Sequence, residues 1–420
     1  MRIYLLKTIQ VFILVCCSNA ILTAQLYNDP NFNKPTTGYG SDGPHTTATE
    51  EFENPYYAGQ NIKIYHPGDI QVKVPTLFYS HAYGGYIPLH VIGLFNFIAK
   101  KGYAIVFVPY QTTGVSVENR YENLLAGFRK AARDFPNIID TTRVGFMGHS
   151  FGGGASFATA YRCFTENNWG QNGRFIHSSA PWYSYNISQA EMQSFPIDTK
   201  LIVEVYDDDV VNDHRMAADV FTAINIPVAE KDFIKVKTDT VNNYVYATGH
   251  DLPTTYAGFD ALDYYAYYRL IDALCDYTFT GSLVAKDVAL GNGSLNQITM
   301  PTGMQNLEQT DMPIVTYDES RYGFPCSAAG NPRNAYCGNF TGVSMVETGN
   351  VSIYPNPFTT GITISNLIGN EMFLLQNSVG QIVYSGNVTG LQHLNSLPNG
   401  LYILKTIAPA YSKTYKLFKE

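Results

Sequence analysis

Residues 143–161 read RVGFMGHSFGGGASFATAY, and this stretch decides how the rest of the chain is read. Val144 to Met147 is a short apolar run of the kind buried in a parallel sheet. Gly152-Gly153-Gly154-Ala155 then opens a small-residue helix. Between them lies Gly148-His149-Ser150-Phe151-Gly152, a G-x-S-x-G pentapeptide. As a bare string it carries little, but strand, sharp turn and helix form the setting in which such a serine is presented above a sheet. Small residues on both sides allow the turn and let helix and strand approach closely. Ser150 at the start of a helix also meets a dipole that favours developing negative charge.

Outward from this turn the chain alternates. NIKIYHP, TLFYSHA and YAIVFVPY precede it as strands, with helices over Leu89–Lys101 and Asn119–Phe135. FIHSSAP, KLIVEVY and NNYVYAT follow as three more strands, and Tyr264–Tyr277 closes with a helix. Such alternation predicts an α/β fold, a doubly wound, mostly parallel sheet with helices on both faces.

A serine hydroxyl needs a base, and the base an orienting carboxylate. In a fold of this kind the chain order is serine, acid, histidine, with the last two on loops after later strands. His250 ends NNYVYAT and is the leading base; His149 neighbours the serine, and His177 lies within a strand. The acid comes from Asp207-Asp208-Asp209 after KLIVEVY. Asp208 fits the register of a strand followed by D-x-hydrophobic-x-P, with Asn212 in place of the proline; Asp209 is its close rival, then Asp207 or Asp213. Two backbone amides are needed for an oxyanion. Phe151 supplies one and Tyr83, in Ser80-His81-Ala82-Tyr83-Gly84-Gly85, the other. No cofactor is called for, and no CxxC, HExxH or tight histidine pair suggests a metal.

The order IYHP, TLFYSHAYGG, GYAIVFVPY, GFMGHSFGGG, SSAPW, LIVEVYDDD, GHD resembles the cutinase and polyester-hydrolase branch of the α/β-hydrolases, related to dienelactone hydrolases and platelet-activating-factor acetylhydrolases. The resemblance covers about residues 55–280. It implies a serine carboxylester hydrolase whose substrate is an ester or polyester, with Tyr83 and Trp182 packing on it. The same scaffold also hosts serine peptidases and amidases, and a surface-displayed binding module without activity is the reading from a different class.

The ends read as targeting material. Residues 1–24 have a basic start (Arg2, Lys7), an apolar stretch and Leu22-Thr23-Ala24 before Gln25, the pattern of an export signal. Past about Gly349, short alternating strands with Asn/Gly/Pro punctuation predict a small β-sandwich. Tyr354-Pro355-Asn356-Pro357, then Gly400-Leu401-Tyr402, then a lysine-bearing last strand, resemble the type A sorting domain of the type IX secretion system. The resulting division is 1–24 signal peptide, 25–285 catalytic domain, 286–347 extension of unknown role, and 348–420 sorting domain. It implies a secreted or cell-surface protein that engages the type IX machinery.

The 420 residues carry 27 Lys+Arg against 35 Asp+Glu, so nothing recommends nucleic acid as a partner. A monomer is expected. Cys163, Cys275, Cys326 and Cys337 remain after the leader, and the short Gly/Pro/Asn loop between the last two favours a Cys326–Cys337 bridge. The 32 Tyr and 24 Phe suit half-exposed strands and wet binding faces but name no ligand.

Overall fold

The computed structural model describes residues 27–254, 259–328, 330–334, 352–365, 372–377, 381–408 and 411–420. The expected leader therefore lies outside the described residues, and among those described no helix is long and apolar enough to cross a membrane. The chain divides into two compact units, 1–331 and 332–420.

In the first unit, β1 (Thr47–Glu53) and β2 (Asn61–Pro67) lead into β3 (Val74–Ser80), α1 (Ile92–Lys100), β4 (Ala104–Phe107), α2 (Val117–Asp134) and β5 (Ile139–His149). Then follow α3 (Phe151–Glu166), β6 (Arg174–Ser179), α4 (Gln189–Gln193), β7 (Lys200–Tyr206), α5 (His214–Ala223) and β8 (Lys231–Val236). A hairpin of β9 (Asp239–Val241) and β10 (Tyr244–Tyr246) precedes a π-type turn, Leu262–Tyr268, that runs into α6 (Arg269–Thr280). Next come α7 (Leu283–Ala289), α8 (Leu295–Ile298) and β11 (Glu308–Thr310).

Nine strands form one sheet in the order β1-β2-β4-β3-β5-β6-β7-β8-β11. From β4 to β8 every neighbour pairs in parallel, while β1, β2 and β11 are antiparallel to theirs. Side chains alternate across the sheet as strand geometry requires. Phe78, Val106, Phe146 and Val203 enter a core with α2, α3 and α5. Leu77, Ile105, Met147 and Ile202 enter another with α1 and α6 on the opposite face. This is the expected α/β architecture with both faces covered. Trp169 belongs to the first core, stacked 4.8 Å from Phe78.

Two expectations need correction. NNYVYAT contributes only β10 to a two-stranded hairpin, and the strand that joins the sheet is β8, KDFIKV. Its charges hid it. Lys231 is buried with Nζ donating to the Phe221 and Ile224 carbonyls at the end of α5, and Asp232 is buried beneath the side chains of Gln297 and Gln309. The second correction concerns 286–347. Its first part is no appendage: β11 forms the ninth strand, and Leu290, Met300 and Leu307 are buried in the core that holds α1 and α6.

The second unit holds β12 (Ser352–Tyr354), β13 (Thr363–Ser365), β14 (Met372–Asn377), β15 (Ile382–Gly386), β16 (Gly400–Ala408) and β17 (Tyr411–Lys419). These make an antiparallel pair, β12-β13, and an antiparallel sheet, β15-β14-β16-β17, around Phe358, Phe373, Leu375, Leu404 and Leu417. Asn356 of the YPNP motif is tied to β17, donating to the Lys416 carbonyl (2.9 Å) and accepting from the Phe418 amide (2.9 Å).

Cys326 is disulfide-bonded and Cys163 and Cys275 are buried free thiols; Cys337, the expected partner, lies outside the described residues.

The place of 286–331 in the core generates a prediction. A chain ending at residue 347 should unfold cooperatively with an unchanged midpoint for the first unit, as read by calorimetry. One ending at 285 strips buried Leu290, Met300 and Leu307 and bares the β8 edge, and should aggregate or melt at least about 10 °C lower, since each such side chain is worth roughly 2 kcal/mol.

Candidate active site

Ser150 is the junction between β5 and α3 and sits at φ 56°, ψ −120°. A positive φ in a non-glycine residue is strained and persists only where the surroundings enforce it. Here its amide donates to the Ser179 carbonyl (3.0 Å), and its carbonyl accepts from Trp182 (2.8 Å) and Gly154 (3.1 Å). The flanking glycines are a packing requirement. A Cβ on Gly148 would strike the Gly152 carbonyl, and one on Gly152 would strike the Ser80 carbonyl.

The hydroxyl so presented meets His250. Ser150 Oγ lies 3.0 Å from His250 Nε2, and His250 Nδ1 lies 2.8 Å from Asp209 Oδ2. With the ring proton on Nδ1, donated to the carboxylate, Nε2 is left to accept the serine proton. Asp209 is fully buried. Burial opposes its ionisation, but the His250 hydrogen bond and charge, with the Asn212 and Val211 amides on Oδ1, outweigh it and hold the carboxyl below its ordinary range.

Asp208, the acid expected from the register, does not reach His250. Its carboxylate accepts from Thr238 Oγ1 (2.6 Å) and faces Arg321 at 3.8 Å, while its amide donates to the Thr248 carbonyl (3.1 Å). The physical reason is the turn that starts here. The Asp209 amide bonds back to the Tyr206 carbonyl (3.0 Å), so successive side chains diverge, one to the rim and the next inward. Asp208 instead stitches the acid loop to the segment that carries His250. Asp207 receives the hydroxyl of Tyr317, and Asp213 caps α5 and pairs with Arg215.

Two further groups hold the site in register. His149 Nε2 lies 2.8 Å from the carbonyl of His250 and donates to it. Burial, aided by the neighbouring His250, pushes the His149 imidazole down to about 3, so it stays neutral and works as a fixed donor. Asn212 donates to the Ala180 carbonyl (2.7 Å) and, more weakly, to Ser150 Oγ (3.4 Å). Asn212 was visible in the sequence only as the residue standing where a proline was expected.

The loop after β3 is equally constrained. His81 is buried with Nδ1 on the Ala82 carbonyl (2.7 Å) and Nε2 accepting the Tyr110 amide (3.0 Å). Within the loop, Gly84 donates to Thr112 Oγ1 (3.1 Å) and Gly85 to the Ala82 carbonyl (2.9 Å). The amides of Tyr83 and Phe151 have no such partner among the described residues.

Ser150 opens into a cleft of about 1000 Å³ lined by Tyr83, Trp182, Tyr185 and Phe324 among others. Phe324 is half-exposed and meets Trp182 edge to face at 5.8 Å. It comes from the extension, where no motif signalled it. The segment 317–324 forms a strap over the acid loop: Tyr317 bonds Asp207, Arg321 faces Asp208, the Gly323 amide bonds the Val210 carbonyl, and Tyr322 packs 5.8 Å from His214. Among the described residues no group of His, Cys, Asp and Glu could hold a metal ion.

Residues 352–420 match the family model of the secretion system C-terminal sorting domain. The closing segment is a type IX secretion sorting domain. The protein is accordingly secreted or displayed at the cell surface. The match covers well under half of the chain and lies wholly outside the unit that holds the site. No curated protein matches the chain.

The geometry separates two neighbouring acids. Asp209→Asn should slow fluorophosphonate labelling of Ser150 at least about 10³-fold, because the imidazole loses its tautomer and its counter-charge. Asp208→Asn, which loosens a loop stitch, should slow it less than about fivefold; the rates are read by gel fluorescence.

Proposed function

We propose that this protein is a secreted serine ester hydrolase on an α/β-hydrolase scaffold, with Ser150, His250 and Asp209 as its triad. One observation carries the reading: the hydrogen-bonded series Ser150–His250–Asp209, at 3.0 and 2.8 Å, hung from a positive-φ turn between strand and helix. The serine–acid–histidine chain order and a constrained loop after an early strand add support.

In this reading Ser150 Oγ attacks the ester carbonyl carbon while its proton passes to His250 Nε2. Asp209 stabilises the imidazolium without taking a proton itself. The carbonyl oxygen gathers negative charge and is met by the amides of Tyr83 and Phe151. Collapse of the tetrahedral intermediate expels the alkoxide, which takes the proton from His250 and leaves an acyl-serine. Water then attacks the acyl carbon, giving its proton to His250, and the acid departs as Ser150 regains its proton. These steps require no cofactor.

Cleft width and aromatic lining suit a sizeable acyl group or a polymer segment better than acetate alone, with Trp182 and Tyr83 as contact surfaces. Delivery outside the cell through the sorting domain fits substrates too large to be imported.

Turnover of p-nitrophenyl esters from acetate to longer chains tests this directly. Ser150→Ala and His250→Ala should each lose at least about 10³-fold in kcat while retaining the native melting profile. Absence of turnover by the intact chain would sink the proposal. Phe324→Ala should raise KM for a benzoate ester about two- to tenfold, with little effect on acetate, since edge-to-face aromatic contacts contribute about 0.5–1.5 kcal/mol.

A further inference from the structure

Arg120, in the first turns of α2, is the lysine or arginine that lines the cleft among the described residues. Its guanidinium carbon lies 5.3 Å from the Tyr83 ring centre and 5.4 Å from that of Phe151, the two residues whose amides await the oxyanion. Stacking on rings engages the faces of a guanidinium and leaves its N–H edges to find acceptors. One edge is used: Nη2 donates to the Val115 carbonyl at 3.1 Å. Nε is buried without a hydrogen-bond partner and so lies out of a ligand's reach; a ligand would meet the Nη groups, and Arg120 forms no ion pair among the described residues.

The rest of the cleft does not explain this charge. Glu118, two residues earlier, has its carboxyl held down chiefly by its own amide and Ser116 and least by the Arg120 charge. It is exposed to solvent and forms no ion pair with Arg120 among the described residues, and Asp251 is an exposed residue of the His250 loop. The buried histidines nearby are neutral, since burial pushes His81 down to about 4 and His149 to about 3. A planar fork of donors at an otherwise aromatic wall is the arrangement that selects a carboxylate.

We propose that the cleft takes an ester bearing a second, anionic carboxylate group, which Arg120 binds beside the oxyanion site. The proposal rests on the hydrolase reading and narrows it to half-esters of dicarboxylic acids and the acid-terminated ends of polyester chains. A neutral ester lacks the partner for the guanidinium edge and binds less well.

The test compares kcat/KM of the full chain for the p-nitrophenyl half-ester of glutaric acid and for p-nitrophenyl hexanoate. In Arg120→Gln the half-ester-to-hexanoate ratio should fall about tenfold or more, mainly through KM, the size of a lost charge-assisted hydrogen bond. Arg120→Lys should recover part of the ratio. An unchanged ratio, with both esters slowed alike, would mean that Arg120 only holds the Tyr83 ring and would overturn the proposal. Should the wild-type chain hydrolyse neither ester and resist fluorophosphonate, the hydrolase reading falls, and calorimetric titration with glutarate decides the site by itself. Binding that weakens at least about tenfold in Arg120→Gln keeps it; no binding to the wild type ends it.

Discussion

Everything in the site hangs on one strained residue. Holding Ser150 at φ 56° costs roughly 1–3 kcal/mol, and the cost is offset by hydrogen bonds to Ser179, Trp182 and Gly154 and by the close approach of α3 to β3 and β5. The approach itself demands glycine at 148 and 152, where any Cβ would meet a carbonyl oxygen. From this turn the position of the hydroxyl follows, and with it the side from which His250 meets it. The parallel strands β5, β6 and β7 end side by side, so the loops after β6 and β7 reach the serine from one edge.

The imidazole of His250 is held from several directions. Asp209 fixes one ring nitrogen of His250, while His149, the neighbour of the serine, fixes its backbone carbonyl. Asp208, Thr238 and Thr248 join the acid loop to the segment leading to His250, and the strap from 317 to 324 lies over that loop. A single chain of contacts thus links the extension, the acid, the imidazole and the hydroxyl. The same extension brings Phe324 to the cleft wall, so the region with the least sequence character both supports the acid loop and lines the cleft.

Legibility in the sequence followed burial. The run Val144 to Met147 could be read because an unbroken apolar stretch of that length needs cover on both faces. The glycines around Ser150 could be read because a serine between them calls for a tight turn. His250 could be read because chain order left few candidates. β8 escaped because Lys231 and Asp232 look like surface residues, and the groups that satisfy them arrive from α5 and from Gln297 and Gln309, up to 77 residues away. The choice between Asp208 and Asp209 turned on one residue of register in a turn, which redirects a side chain entirely and leaves no trace in composition. Phe324 stands in a Gly/Pro/Ser-rich stretch whose fold depends on contacts with the acid loop. The sorting domain was plain because its motifs are local and ordered. Asn356 shows what one of them does: it satisfies backbone groups of the last strand.

The central claim is that Ser150 carries the acyl group during turnover. Rapid acid quenching in the presence of an ester, followed by peptide mass mapping, reads this directly. The account predicts the mass of the acyl group on the peptide containing Ser150, appearing within the first turnover and absent in Ser150→Ala. An acyl adduct on another residue, or steady turnover with Ser150 never modified, would contradict it.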